Sequence, residues 1–524
     1  MNAMPISHWL IAPVVLPFVT GAALLLVERR APKQVAPISL GATVALLLIA
    51  CTLLARAWTG EIDAYLVGNW RAPFGIALAL DRLTALMLTL TAVVALASVL
   101  YARGGDDARG AHFHSLLQFQ LMGLNGAFLT ADLFNLFVFF EVLLIASYGL
   151  LLHGAGAARL RAAIHYVAFN LTGSALFLVA VASLYGLTGT LNMADLAHRV
   201  PQLGADSAQL VRAAALLLLV VFCVKAALLP LYFWLPDTYG AATAPVAALF
   251  AIMTKVGVYA VARMYTLVFG DAGGIAANVA QPWLPALALT TVLLGALGAL
   301  AAPRLRTLVA YLVVASAGTL LLGVGLGRTT TTAAALFYLV NSTLVAAALF
   351  LLIDRIGAMR GDHDDRLVAA HFAAERPLLG AAFLFGSVAV AGLPPLGGFL
   401  GKAMLLEAAW STPYGRWVWV IVLLSSFGVI VALARAGSLV FWRPAPSESS
   451  AAAPVATTAR VQAAAIGLLL AALASIAVLA QPVASYATAT ANQLFDRRAY
   501  IDAVLQAEPV PPLIPIRDIA GGKP

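Results

Sequence analysis

Five lysines occur in the chain, and three of them stand where a charge is hardest to keep. Lys33 and Lys523 lie in polar flanks, whereas Lys225, Lys255 and Lys402 each sit inside a long apolar run. An ammonium group at the centre of a hydrocarbon layer costs roughly 2.5–3.5 kcal/mol on insertion scales, so it needs a partner, water or a task. The stretch Cys223–Lys255, CVKAALLPLYFWLPDTYGAATAPVAALFAIMTK, carries two of the three and is interrupted by Pro230, Pro236 and Pro245. A fourth costly group, Glu141, lies in NLFVFFEVLLIASYG with no cation near it in sequence. Buried amines suit proton transfer: burial disfavours the charged form, a nearby carboxylate favours it, and small movements exchange the two influences. Glu141 and Lys225 both fall near mid-span and are expected to pair and to titrate as a coupled unit. A static ion pair that fixes helix register is the alternative, but it leaves Lys255 unexplained.

Lys255, in ALFAIMTKVGVYAV, is too central to snorkel to an interface and is expected to relay protons between two halves. Lys402 follows AGLPPLGGFLGK, a second Pro/Gly interruption that contains Pro395, and is the natural end point of the second half. Glu407, five residues on, is placed near an outer mouth. His165, a turn inside the sixth apolar span, is either a satisfied structural histidine or an entry gate. Gln118, Gln120, Asn125, Asn135, Asn170, Thr254, Ser316, Asn341, Ser342 and Thr343 can support water, although such residues more often bond helix to helix. His112 and His114 are expected to be solvated at a mouth, and Asp81 with Arg82 to form an interfacial pair.

The elements that position these groups follow from composition. With 62% hydrophobic and 10% charged residues, the chain is an all-α polytopic membrane protein. Crossing about 30 Å takes about 20 residues, which gives about fourteen transmembrane helices. The seventh (209–235) and twelfth (377–410) are too long and too rich in Pro and Gly for one regular helix, and are expected to be broken where freed backbone groups meet protein or water. Five spans apart, they cross in opposite directions, the mark of two inverted five-helix repeats. The organisation expected is residues 1–111 for helices 1–3, 112–268 for the first repeat (helices 4–8), 283–442 for the second (helices 9–13), and 461–524 for the last helix and an external tail. That tail is expected to be an amphipathic turn with an irregular end. A Ser/Ala/Pro-rich linker (Pro444–Thr458) is expected to be flexible, and Gly357–Arg376 to be a mixed-charge loop with a short interfacial helix around Leu367, Ala370 and His371.

The net charge of +8 speaks to topology, not to nucleic acid. Loops opposite the N-terminus hold fifteen basic residues. Those on its own side hold Arg56, Arg71, Arg199, Arg212, Arg263, Arg328 and Arg416. The positive-inside rule therefore puts both termini outside the cytoplasm. Cys51 and Cys223 supply neither a disulfide framework nor a metal or iron–sulfur spacing, and no cofactor is expected. There is no Walker loop, dinucleotide fingerprint or nucleophile elbow, so nothing here is expected to hydrolyse or bind a nucleotide.

The stretches FNLFVFFEVLLIASYGLL, KAALLPLYFWLPDTYGAATAPVAALFAIMTKVGVY and AGLPPLGGFLGKAMLLEA resemble the antiporter-like membrane subunits of respiratory complex I and of Mrp-type (Pha- or Mnh-type) monovalent cation/proton antiporters. Within that superfamily the chain is most similar to the D subunits of the Mrp type, which lysine at position 402 favours. The resemblance implies Glu141 and Lys225 as the first-half pair, Lys255 as the central relay and Lys402 as the terminal lysine. One departure stands out: where the family has a His and a Lys in the eleventh span, FYLVNSTLVAAALFLL offers Asn341 and Ala346. The implied function is proton translocation in a hetero-oligomeric membrane complex, surrounded by lipid and exchanging protons for Na+ or K+. The alternatives are a proton-pumping subunit of a complex I-like oxidoreductase or membrane-bound hydrogenase, and a stand-alone solute carrier.

Overall fold

The computed structural model describes residues 6–372, 375–443 and 457–509. The linker at 444–456 and the irregular end expected beyond 509, with Lys523, lie outside the described residues. Helices α1 (Ala12–Arg30) and α2 (Pro32–Ala57) lead into a two-stranded antiparallel hairpin, β1 (Asp63–Leu66) and β2 (Ala77–Leu80). There follow α3 (Arg82–Ala102), α4 (Phe113–Leu129), α5 (Leu133–Leu152), α6 (Ala157–Thr188), the short α7 (Met193–Arg199), α8 (Ala208–Ala226), α9 (Trp234–Ala241) and α10 (Ala244–Leu267). The second part holds α11 (Leu284–Ala301), α12 (Leu305–Gly325), α13 (Thr329–Ala358), α14 (Arg376–Ala391), α15 (Gly397–Ala409) and α16 (Gly415–Gly437). It closes with α17 (Thr457–Val478), α18 (Ala480–Phe495) and α19 (Arg497–Leu505).

Among the described residues, twelve helical segments are long and apolar enough to cross a membrane. The 17-residue α4 and the interrupted pair α14–α15 complete the fourteen passes. Short polar residues start the helices: Asp81 accepts from the Thr84 amide at 2.8 Å ahead of α3, and Asp132 from the Asn135 amide at 2.7 Å ahead of α5. Each satisfies one of the amides a helix start leaves free. α10 is central, with its whole apolar window buried, and α12 and α13 follow at 94%. α1, α2 and α17 turn most of their surface outward.

Two expectations change here. The strap after α13 forms no helix at Leu367–His371; it runs extended along Pro303–Arg306, with Leu305 N–H donating to the Asp365 carbonyl (2.8 Å) and Leu367 N–H to that of Pro303 (3.0 Å). Arg360 gathers the carbonyls of Asp364, Arg366 and Val368, which removes them from any helical ladder. The segment after Gln481 is helical rather than a turn. α18 buries Tyr486, Ala487, Thr490, Ala491 and Leu494, and packs against α13, α10 and α3.

Candidate functional site: buried lysines beside two helix breaks

Both interrupted passes are built alike. α8 ends at Ala226, Ala227 is left-handed (φ 55°), and α9 begins at Trp234, with Pro230 in the gap. α14 ends at Ala391, Gly392 is left-handed (φ 79°), and α15 begins at Gly397, with Pro395 in the gap. The groups freed at the first break are taken up locally. Trp234 Nε1 donates to the Val224 carbonyl at 3.1 Å, and Leu229 N–H to Thr291 Oγ1 at 3.0 Å. At the second, Asn341 Nδ2 donates to the Ala389 carbonyl at 3.3 Å. Gly398 is needed there because a Cβ would stand 1.9 Å from that carbonyl oxygen.

Lys225 lies in the last turn of α8, 7% exposed, and its Nζ donates to Asn170 Oδ1 at 3.3 Å and sits 5.9 Å from the Phe140 ring centre. A cavity of about 20 Å³ adjoins it, lined among others by Tyr166, Asn170, Trp234 and Met253, which is room for one water. Glu141 does not touch Lys225. Its Oε1 accepts from Ser174 Oγ, and no lysine–carboxylate contact falls within 4.0 Å among the described residues. The direct Glu141–Lys225 pair expected from sequence is therefore replaced by two neutral contacts, both on α6. Lys255 is fully buried, and its Nζ donates to Ser316 Oγ (3.1 Å) on α12 and to Thr254 Oγ1 (3.3 Å). Gly257 lets α10 close on α8 here, since a Cβ would lie 2.5 Å from the Ala226 nitrogen.

Lys402 follows its break, whereas Lys225 precedes its own. The Lys402 stem folds back, so that Nζ donates to the carbonyls of Ala391 (2.8 Å) and Val390 (3.4 Å) and to Ser426 Oγ (3.0 Å). Both amines thus end beside the last turn of the helix before a break. Asn341 joins the second group through Ala389, while its Oδ1 has no partner. Tyr338, one turn before Asn341 on α13, packs against Gly401 of α15, and Thr319 on α12 bonds back to the Ala315 carbonyl at 2.9 Å. His165 is exposed on the outer face of α6, and Glu407 on that of α15; neither is brought to the lysines. Gln118, Asn125 and Asn135 bond between or within elements, to Ser39 and Thr43, Pro13 and Thr130 respectively.

Three clusters went unseen in the sequence. Asp81 is no surface partner of Arg82. It takes Arg263 Nη1 at 2.5 Å, with both side chains under 5% exposed, while Arg82 binds the Ala57 and Trp58 carbonyls. Arg263, expected in a loop, lies inside α10, 5.4 Å from the Tyr259 ring and 4.9 Å from Tyr500 of α19. An arginine inside so apolar a run was itself the signal that a carboxylate must meet it. On the opposite face, Asp354 accepts from Tyr101 (2.8 Å) and Arg306 (2.9 Å). Nearby Asp106 is pushed up to about 6 by burial and by the charge of Asp354. His114 is buried rather than solvated, with Nε2 donating to Asp107 at 3.1 Å, and His112 meets Glu28 at 2.7 Å.

Fourteen passes, two interrupted, with amines held by neutral oxygens beside the breaks make a polytopic membrane bundle, and comparison with known proteins gives its lineage. Residues 130–431 match the family model described as NADH:quinone oxidoreductase/Mrp antiporter, transmembrane, and the chain belongs to that family. It is 40% identical to the D subunit of a probable K(+)/H(+) antiporter of Rhizobium meliloti, over 96% of this chain and 98% of that one. It is 35% identical to the D subunit of the Na(+)/H(+) antiporter of Bacillus subtilis, over 95% and 100%. In the Mrp complex of a Dietzia species, a chain 28% identical superposes with a TM-score of 0.86, covering 96% of this chain and all of that one.

Proposed function

We propose that this chain is the proton-translocating D-type subunit of a multisubunit monovalent cation/proton antiporter in a bacterial inner membrane, with both termini outside the cytoplasm. The observation that carries the reading is the set of three lysines, Lys225 and Lys255 buried in crossing helices and Lys402 half-buried beside a break, each held by amide, hydroxyl or carbonyl oxygens instead of a carboxylate. A neutral acceptor can hold an ammonium but leaves its charge uncompensated, so each amine is poised to give up its proton when a cation or a second charge approaches. Protons enter the first half at Glu141 and Lys225, pass Lys255 and Ser316, and continue by way of Thr319, Tyr338 and Asn341 to Lys402. Hydroxyls and an amide then stand in the span where the family has titratable residues. The matching construction of the two breaks supports, as part of the same reading, two inverted five-helix units at 112–268 and 283–442.

The test is fluorescence-monitored antiport in inverted vesicles carrying the whole complex, with Na+ and K+ supplied in turn. Lys225→Ala and Lys255→Ala should each abolish cation-driven proton movement while the complex still assembles. Near-normal antiport in an assembled Lys225→Ala complex would sink the mechanism. The family's oxidoreductase branch makes an electron-driven pump the second reading. Cation-driven proton movement without any quinone or electron donor separates the two.

A further inference from the structure

Glu141 and Lys225 each hydrogen-bond to α6, one turn apart, and not to each other. Ser174 donates to the Glu141 carboxylate, and Asn170, four residues earlier on the same helix face, accepts from the Lys225 ammonium at 3.3 Å. The orientation of the Asn170 amide is fixed, because its Nδ2 donates to the Tyr166 carbonyl at 2.9 Å and so presents Oδ1 to the lysine. α6 packs against α5, which carries Glu141, and against α8, which carries Lys225. Without these two side chains, separated charges in this apolar setting would each lose a hydrogen-bond partner, and joining them would be the favoured arrangement.

We propose that Asn170 and Ser174 form a separator: two neutral side chains, one turn apart, that give each member of the charge pair an alternative partner. The pair then has two accessible arrangements, apart on α6 or joined to each other, and only the separated one lets Lys225 pass its proton onward. Both are positioning residues, and the inference rests on the proton-path reading above. The titratable and charged groups on the elements around the pair are Tyr148 on α5, Arg159, Arg161, Tyr166 and Tyr185 on α6, Arg212 and Cys223 on α8, Asp237 and Tyr239 on α9, and Lys255, Tyr259, Arg263 and Tyr265 on α10, with His165 turned outward.

The experiment is the pH profile of antiport in the assembled complex for Ser174→Ala, Asn170→Leu and Asn170→Asp, with Ser174→Thr as the conservative control. In the first two, the pair joins and the carboxylate holds the lysine proton. In the third, which is isosteric and least disturbing to folding, the new carboxylate holds it directly. Antiport should fall about tenfold at the wild-type optimum as the profile moves up by about one pH unit, while Ser174→Thr keeps both activity and profile. Wild-type profiles in all three variants would overturn the separator, and so would a loss equal at every pH, which marks a merely structural role. If Lys225→Ala abolishes antiport while these variants behave as wild type, the separator alone falls. If Lys225→Ala retains antiport, the proton-path reading falls with it.

Discussion

Replacing Arg263 by Met leaves Asp81 as a carboxylate 2% exposed with no cation to meet it. Removing one partner of a buried ion pair costs about 3–5 kcal/mol, mostly the cost of the orphaned charge. Arg263 also lies over the Tyr500 ring, a contact worth about 0.5–2 kcal/mol that Met does not replace. Asp81→Asn keeps the acceptor that caps α3 through the Thr84 amide, so its cost isolates the lost charge on Arg263. The double variant Asp81→Asn/Arg263→Met removes both charges, and the reasoning assigns it a loss of about 1–2 kcal/mol, chiefly the aromatic contact. Each single variant should therefore be less stable than the double. The assay is equilibrium unfolding of the purified protein in mild detergent with increasing dodecyl sulfate, read as a double-mutant cycle. Losses that add to within about 0.5 kcal/mol would mean the two groups are uncoupled and would refute the argument.

Asp106 gives a pH test of stability. Its carboxyl, raised to about 6 in the folded chain against about 4 when unfolded despite Arg109 at 3.1 Å, keeps its proton to a higher pH in the fold; the stability this confers is present below pH 4 and lost as pH rises through 6. Two units correspond to about 3 kcal/mol, so Asp106→Asn should flatten the fall in thermal stability between pH 4 and 7; an unchanged slope would contradict the assignment. Gly398→Ala places a methyl 1.9 Å from the Ala389 carbonyl and should force the second break apart at a cost of about 1–3 kcal/mol, seen as a lower melting temperature of the protein.

What the sequence revealed depended on whether the cause was local. The breaks were legible because Pro230 and the Pro/Gly run around Pro395 forbid a continuous helix, and the three lysines because an amine inside an apolar run is improbable without a reason. The partners were not legible. Asp81 lies 182 residues from Arg263 and Tyr101 lies 253 from Asp354, and no local pattern joins them. Glu141 and Lys225 were matched by opposite charge, by their shared mid-span depth and by the family resemblance, all of which overlooked that a serine and an asparagine one turn apart satisfy both. The hairpin β1–β2 escaped notice because its strands are only four residues long. α18 and α19 escaped it because a helix buried on one side by other helices need not look like a span.

The way Lys402 reaches back to the carbonyls of Val390 and Ala391 divides the labour between the halves of the molecule. Those oxygens are the negative end of the α14 dipole, a favourable place for a cation that no side-chain rotation can withdraw. Lys225 can change partners by turning a few bonds. Lys402 leaves them only by turning its own stem, because the carbonyls it meets are fixed in the helix end. On the proton-path reading the two lysines thus differ in what must move to free them: at Lys225 a partner amide or the amine itself can rotate, whereas at Lys402 only the amine can.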